Sequence, residues 1–133
     1  MHVVILGCGR VGARLAGMLD AERHSVSVID VNLESFDRLP AKFGGQAVLG
    51  EGIDYDVLRQ AGIESADAFL ALSDNDNSNI MASQIAQRVF RVKRVIVRIY
   101  DPERNESFRE LGLETMCPTR VGVERIEALL NVG

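Results

Sequence analysis

The sequence predicts a doubly wound α/β fold, in which helices cover both faces of a parallel sheet of six strands. Short apolar runs of about four to six residues alternate with amphipathic segments along the 133-residue chain, as in right-handed β-α-β units. The first run, residues 2–6, leads into the glycine pattern Gly7-Cys8-Gly9-Arg10-Val11-Gly12, and the second run ends in Asp30. Together these observations predict a single domain over residues 1–133 with strand order 3-2-1-4-5-6.

Each element has a local signal. Apolar runs predict strands at about residues 2–6, 25–30, 46–49, 66–72, 94–98 and 114–117. Apolar residues at spacings of three and four predict helices at about 10–20, 33–43, 76–90, 103–111 and 119–131, with a short helix between Tyr55 and Gly62. Residues predicted to face inward include Val11, Leu15, Leu19, Tyr55, Leu58, Ile80, Met81, Ile85 and Val89. Pro40 falls in the last turn of the second helix, where a proline disfavours continuation.

The glycine pattern is the strongest functional signal in the chain. Gly7 allows a tight turn out of the first strand, Gly9 lets a phosphate approach the backbone, and Gly12 lets the helix pack closely on the strand. The N–H groups at the start of that helix would then face an anion. Arg10 falls in this first turn, where it either contacts a phosphate or is a solvated surface arginine. The pattern predicts a nucleotide bound through its phosphates.

Asp30 ends the second strand and is predicted to accept hydrogen bonds from ribose hydroxyls. Its charge would repel a 2′-phosphate, and no arginine follows it directly, so NADP is disfavoured. NAD, ADP and ATP all carry an adenosine ribose, and Asp30 does not separate them. The predicted ligand is therefore NAD(H) or an adenine nucleotide (ADP or ATP).

The polar loop 73–79 and Arg98 are predicted to lie at the crevice where the strand order reverses. A calcium loop would need glycine where Asn79 stands and glutamate where Ile85 stands, so no metal is predicted. The loop instead caps the following helix, with or without touching the ligand. Arg98 either reaches the ligand or pairs with a loop aspartate. Cys8 lies at a helix N-terminus, but no base is placed beside it, and no catalytic residue is predicted.

Composition and charge limit the class of protein. A hydrophobic fraction of 47% with 26% charged residues is ordinary for a globular domain. The net charge of −4 and the pI of about 5.2 disfavour a nucleic-acid partner, which requires a basic excess. No apolar stretch reaches the roughly 20 residues of a membrane span, and no basic region of a signal peptide precedes the first apolar run. A cytoplasmic protein is predicted.

Several motifs together resemble the TrkA-N family, the nucleotide-binding N-terminal (RCK or KTN) domains of regulators of bacterial and archaeal potassium channels and transporters. The resemblance covers nearly the whole chain. Besides the glycine pattern, it rests on residues 28–30, 49–54, 71–79, 96–98 and 114–118, which read VID, LGEGID, ALSDNDNSN, IVR and ETMCP. It implies a cytosolic sensor, not an enzyme, that gates an attached or separate pore from the inner face of the cell membrane.

The resemblance also implies roles for individual residues. It assigns the phosphates to Gly7, Gly9, Arg10 and Val11, with Arg98 at a further phosphate. It assigns the adenosine to Asp30 and Val31, the adenine edge to Glu51, Gly52 and Ile53, and the middle of the ligand to Ser73 and Asp74.

An apolar stripe in the last helix bears on assembly. Val123, Ile126, Leu129 and Leu130 recur at spacings of three and four. The stripe either packs on the sheet of its own chain or meets a second subunit. Members of the TrkA-N family dimerise and often form rings through their last helices. The resemblance therefore implies that this chain forms a homodimer or a larger ring.

Three features depart from the family pattern. Glu51 and Ile53 stand where the family usually has Asp and Thr. Thr119 stands where some ATP-responsive relatives carry an acid that binds a divalent cation, which disfavours a metal-linked ATP switch. Family regulators usually continue into a second ligand-binding domain. A chain that stops at Gly133 is therefore expected to be an isolated domain or a protein whose partner subunit supplies the rest.

The sequence by itself leaves two alternative functions. One is a small NAD-dependent oxidoreductase, and the other is a nucleotide sensor of a different ion antiporter. An oxidoreductase needs an acid or base near the nicotinamide. The chain has only two His, and neither is predicted near the crevice.

Overall fold

The computed structural model describes residues 1–131 and contains a six-stranded sheet. The strands are β1 (His2–Leu6), β2 (Ser25–Asp30), β3 (Gln46–Leu49), β4 (Ala68–Ala71), β5 (Arg94–Arg98) and β6 (Glu114–Met116). Neighbouring strands pair in parallel in the order β3-β2-β1-β4-β5-β6. The predicted doubly wound fold and its strand order are confirmed, and the order reverses between β1 and β4.

The helices of the described residues are α1 (Arg10–Ala21), α2 (Tyr55–Gln60), α3 (Asp76–Arg88), α4 (Pro102–Glu110) and α5 (Pro118–Asn131). A short 3₁₀ turn, Ile63–Ser65, follows α2. Asp54, Asn75 and Asp101 cap α2, α3 and α4, because their side chains accept the first backbone N–H groups. No helix within residues 1–131 is long and apolar enough to cross a membrane.

The segment predicted as the second helix, residues 33–43, is instead a 3₁₀ turn over Leu33–Arg38. Asn32 begins the turn by accepting the backbone N–H of Glu34 at 3.1 Å. Leu39 is extended, with ψ 145°, because the ring of Pro40 disfavours the helical conformation in the residue before it. The helical prediction was wrong because it followed the apolar spacing past the proline.

Apolar side chains cover both faces of the sheet. Along β1, Val3 and Ile5 pack on the side of α1, whereas Val4 and Leu6 pack on the opposite side. This alternation is the period of two expected of a strand. Both layers of the core are therefore anchored on β1, directly below the glycine pattern.

Four apolar residues predicted to face inward are exposed: Val11, Tyr55, Met81 and Val89. In α1 the buried face consists of the small residues Gly12, Ala13 and Ala16. Small side chains let a helix approach the sheet closely, and the larger Val11 then lies outside the contact. Leu15 and Leu19 pack against the core as predicted, and the prediction was wrong at Val11 because it weighted large apolar residues over small ones.

The last helix, α5, packs differently from the others. None of its described residues is buried, and Val121, Val123, Ile126, Leu129 and Leu130 are exposed. The apolar stripe does not pack on the sheet of its own chain. Between α4, β6 and α5 lies a groove of about 300 Å³, which we call the α4–α5 groove. Asn105 lines this groove and is 3% exposed, yet its Oδ1 has no hydrogen-bond partner among the described residues.

Candidate functional site

A cleft of about 700 Å³ opens at the carboxyl ends of β1, β2, β3 and β4. The loops that follow these four strands form its walls. This edge is where the strand order reverses, the usual place for a ligand in an open parallel sheet. The residues that end each strand therefore decide what the cleft binds.

The glycine loop forms the floor of the cleft. Gly7 has φ +104°, and a side chain there would meet the backbone of Ser73 at 2.7 Å. At Gly9 a Cβ would meet nothing within 4 Å, so the backbone is open towards the cleft. Gly9 is also the N-cap of α1 and provides no side-chain cap. The first N–H groups of α1 are thus left for an anion, which a helix N-terminus stabilises.

Asp30 is held rigidly at the mouth of the cleft. Its Oδ2 accepts the backbone N–H of Cys8 at 2.8 Å, and its Oδ1 accepts that of Asn32 at 2.8 Å. These bonds fix the carboxylate between the glycine loop and the end of β2. Each carboxylate oxygen retains a further lone pair, so Asp30 can still accept hydrogen bonds from a diol.

A buried network fixes the loop after β4. Asn79 is fully buried, and its amide donates to the carbonyls of Ser73 (2.9 Å) and Arg98 (3.0 Å). Its Oδ1 accepts the N–H of Ser73 at 3.0 Å and the hydroxyl of Ser73 at 2.7 Å. One amide therefore ties together the carboxyl ends of β4 and β5.

Arg98 is buried beside this network, with 7% of its surface exposed. Its Nη2 donates to the carbonyls of Leu72 and Ser73, and the guanidinium lies 4.9 Å from the ring centroid of Tyr100. The salt bridge with a loop aspartate considered above is absent from the described residues. Arg98 lines the cleft, and its hydrogen bonds to Leu72 and Ser73 hold the loop that follows β4.

All but three of the predicted binding residues line the cleft: Gly7, Gly9, Asp30, Val31, Glu51, Gly52, Ile53, Ser73, Asp74 and Arg98. Arg10 and Val11 are exposed on the first turn of α1, outside the lining. Gly12 is buried beneath the loop, where a Cβ would lie 1.9 Å from the carbonyl oxygen of Gly7. Gly12 thus shapes the floor of the cleft without facing it.

The lining residues missed as ligand contacts include Cys8, Asn32, Ser35 and Arg38. The last three belong to the 3₁₀ turn and its cap, which the sequence pattern did not predict. No local pattern marked these three residues, because residues 31–39 (VNLESFDRL) mix polar and apolar side chains.

Cys8 is fully buried, and its environment makes a poor nucleophile. Burial raises the pKa of its thiol to about 11, and the Asp30 carboxylate adds to this effect while Arg38 opposes it. A thiol with such a pKa stays protonated at neutral pH. Cys8 therefore acts here through its backbone, which binds Asp30.

The fold and the cleft define a Rossmann-type domain with a glycine loop and an acidic residue at the end of β2. The chain belongs to the TrkA-N domain family, whose model matches residues 3–118. The resemblance read from the motifs is confirmed.

The relatives are longer than this chain. Trk system potassium uptake protein TrkA of Streptomyces coelicolor is 52% identical over 120 residues, which are 90% of this chain and 54% of the relative. A TrkA homolog of Pyrococcus abyssi is 36% identical over 111 residues, 84% of this chain and 49% of the relative. The chain thus spans about half the length of these curated relatives.

Solved structures share the fold. The TrkA-N domain of inner membrane protein YbaL from Escherichia coli has a TM-score of 0.85 at 23% identity, covering 98% of this chain and 96% of that one. GsuK bound to ADP has a TM-score of 0.79 at 24% identity, covering 98% and 34%. The GsuK channel bound to NAD has a TM-score of 0.74 at 22% identity, covering 90% and 22%.

Proposed function

We propose that this chain is a regulatory module that binds NAD(H) or an adenine nucleotide and controls a potassium channel or transporter. The observation that carries the proposal is Asp30, fixed beside a glycine loop and an uncapped helix N-terminus. Its relatives are named as potassium uptake proteins, and GsuK is described with ADP and with NAD. Both ligands share the adenosine diphosphate group that such a cleft would hold.

The cleft has a place for each part of that group. The phosphates would lie over Gly9 and the first N–H groups of α1, where backbone donors and the helix dipole favour an anion. The ribose would lie on Asp30, and the adenine between Val31 and Ile53, which are exposed at the cleft mouth. Gly52 lets this edge pack closely on Leu6, because a Cβ there would lie 2.6 Å from the Leu6 side chain.

Replacing Asp30 tests the ribose position. Asp30→Ala should weaken the binding of both NAD and ADP by about 1.5–3 kcal/mol, the worth of a hydrogen bond to a charged group. Asp37→Ala, which removes an exposed carboxylate of the same segment outside the cleft lining, should leave both affinities unchanged. Titration calorimetry measures both variants. Equal affinities for wild type and Asp30→Ala would contradict the proposal.

A regulatory role fits the cleft better than hydride transfer, the competing function. His2 is held away from the cleft by Ser25 Oγ (2.8 Å) and the carbonyl of Ala61 (2.9 Å). His24 contacts the N-terminal amine of Met1 at 3.1 Å, at the amino end of the sheet. Neither imidazole can serve a nicotinamide in the cleft as acid or base. Reduction of NAD in the presence of candidate substrates would favour the enzyme instead.

The proposed partners are a membrane potassium channel or transporter subunit and a second copy of this chain. Two features of the carboxyl-terminal end support the second copy. The α5 stripe is exposed, and the α4–α5 groove is lined by Asn105 and Thr115, whose side-chain oxygens have no hydrogen-bond partner within residues 1–131. Buried polar atoms without partners are costly, and a neighbouring subunit would satisfy them. In this arrangement the module would be cytoplasmic and peripheral to the inner membrane face through its partner.

Charging the stripe tests this assembly. Ile126→Asp combined with Leu129→Asp should give a folded monomer that still binds nucleotide. Each buried aliphatic side chain is worth roughly 1.5–3 kcal/mol, and a two-fold interface loses it twice. Glu127→Gln, an exposed carboxylate of α5 outside the lining of the α4–α5 groove, should leave the dimer intact. Sedimentation of all three proteins measures the assembly, and a wild type that stays monomeric at high concentration would contradict it.

A further inference from the structure

Arg38 is a cation that lines the cleft together with Asp30. It ends the 3₁₀ turn Leu33–Arg38, lines the cleft, and is exposed. Its Nη1 donates to the carbonyl of Cys8 at 3.4 Å, its one hydrogen bond within residues 1–131. A guanidinium has five N–H donors. Most of the donors of Arg38 are therefore left for solvent or for a ligand.

The two arginines of the cleft differ in this respect. Arg98 is buried and holds the carbonyls of Leu72 and Ser73. Arg38 has no such task in the fold. Cys8 connects it to Asp30, because the N–H of Cys8 binds the Asp30 carboxylate while its carbonyl accepts from Arg38. A carboxylate and a guanidinium thus bind the same residue of the glycine loop, at the position proposed for the ribose.

We propose that Arg38 reads the 2′ position of the adenosine ribose and lets the cleft accept a phosphate there. This inference rests on the proposed function. Asp30 alone would repel a 2′-phosphate, but Arg38 offsets that charge and is suited to a phosphate by its planar set of donors. The hydroxyl of Ser35 lines the same part of the cleft. The sequence disfavoured NADP because only the charge of Asp30 was considered. The 3₁₀ turn places Arg38 against the glycine loop, where its positive charge acts on the same site.

Paired ligands test the role of Arg38. NAD and NADP differ only in the 2′-phosphate, as do 5′-AMP and 2′,5′-ADP. Wild type should bind the two members of each pair within about tenfold of one another. Arg38→Gln should weaken NADP and 2′,5′-ADP by at least about tenfold, the worth of one charge-assisted hydrogen bond, and NAD and 5′-AMP by less than about threefold. Lys42→Gln removes an exposed cation just after the turn, outside the cleft lining, and should change neither pair.

The outcomes separate this inference from the proposed function. A wild type that binds NAD but not NADP overturns the role of Arg38. If Arg38→Gln loses the same affinity for both members of a pair, the guanidinium contacts the phosphates that the two ligands share. That result also overturns the role of Arg38 at the 2′ position. A wild type that binds none of the four ligands contradicts nucleotide binding itself, and the role of Arg38 falls with it. Thermal unfolding of Arg38→Gln confirms that the variant is folded.

Discussion

Gly12→Ala is expected to destabilise the domain by at least about 3 kcal/mol, a large part of the roughly 5–15 kcal/mol that a domain has. The added Cβ would lie 1.9 Å from the carbonyl oxygen of Gly7. That oxygen belongs to backbone that is held in place, because the N–H of Gly7 donates to the carbonyl of Ile29 at 2.7 Å. The clash can be relieved only by moving α1 away from β1, which opens the core.

Gly9→Ala is the matched control for this variant. Its Cβ would meet nothing within 4 Å, and its backbone is extended at φ −85° and ψ −161°, which alanine adopts without strain. Gly9→Ala should therefore keep the stability of wild type but weaken nucleotide binding, since the methyl group occupies the path of the phosphates. Urea unfolding and calorimetry measure the two effects. A Gly12→Ala protein as stable as wild type would contradict the packing described here.

Asn79→Ala is expected to cost about 3–5 kcal/mol and to loosen the cleft. The change removes four hydrogen bonds, three to Ser73 and a buried one to the carbonyl of Arg98. It also leaves the N–H and the hydroxyl of Ser73 without the oxygen that accepts them, at about 1–3 kcal/mol for each group that water cannot reach. The loop after β4 then loses its anchor, and nucleotide affinity should fall with stability.

Asn75→Ala provides the comparison for this loss. Asn75 lies in the same loop and caps α3 by accepting the N–H of Ser78 at 3.0 Å, a contact worth about 1 kcal/mol. Unfolding of both variants in urea gives the two costs under one set of conditions. A loss in Asn79→Ala no larger than that in Asn75→Ala would show that the buried network is not what holds the β4 loop.

The strand order could be predicted because it depends on local patterns. Each strand is a short apolar run. The glycine pattern and Asp30 identify the first two runs as β1 and β2 of a doubly wound sheet, and the strand order follows from that. The helix predicted over residues 33–43 was wrong for a local reason as well, because Pro40 keeps the residue before it out of the helical conformation despite the apolar spacing. The buried face of α1 was harder, because it depends on how closely small residues let the helix approach the sheet.

The cleft shows a similar division. Residues that directly follow strands, such as Asp30 and Ser73, could be placed because parallel strands end at one edge of the sheet. The sequence did not predict which groups Arg38 and Asn79 contact. Arg38 reaches the glycine loop across 30 positions of sequence, and Asn79 reaches β5 across 19. Contacts of this kind follow from the tertiary fold and have no local signal.

We propose above that an adenine nucleotide binds in the cleft at the carboxyl ends of β1 and β4. The most direct test is to titrate the isotope-labelled chain with ADP or NAD and follow its backbone amide resonances. We predict that the largest shifts occur at Gly7, Gly9, Asn32, Gly52 and Ser73, and that the α4–α5 groove changes little. Largest shifts at Asn105 and Thr115, or no shifts at saturating ligand, would contradict the account.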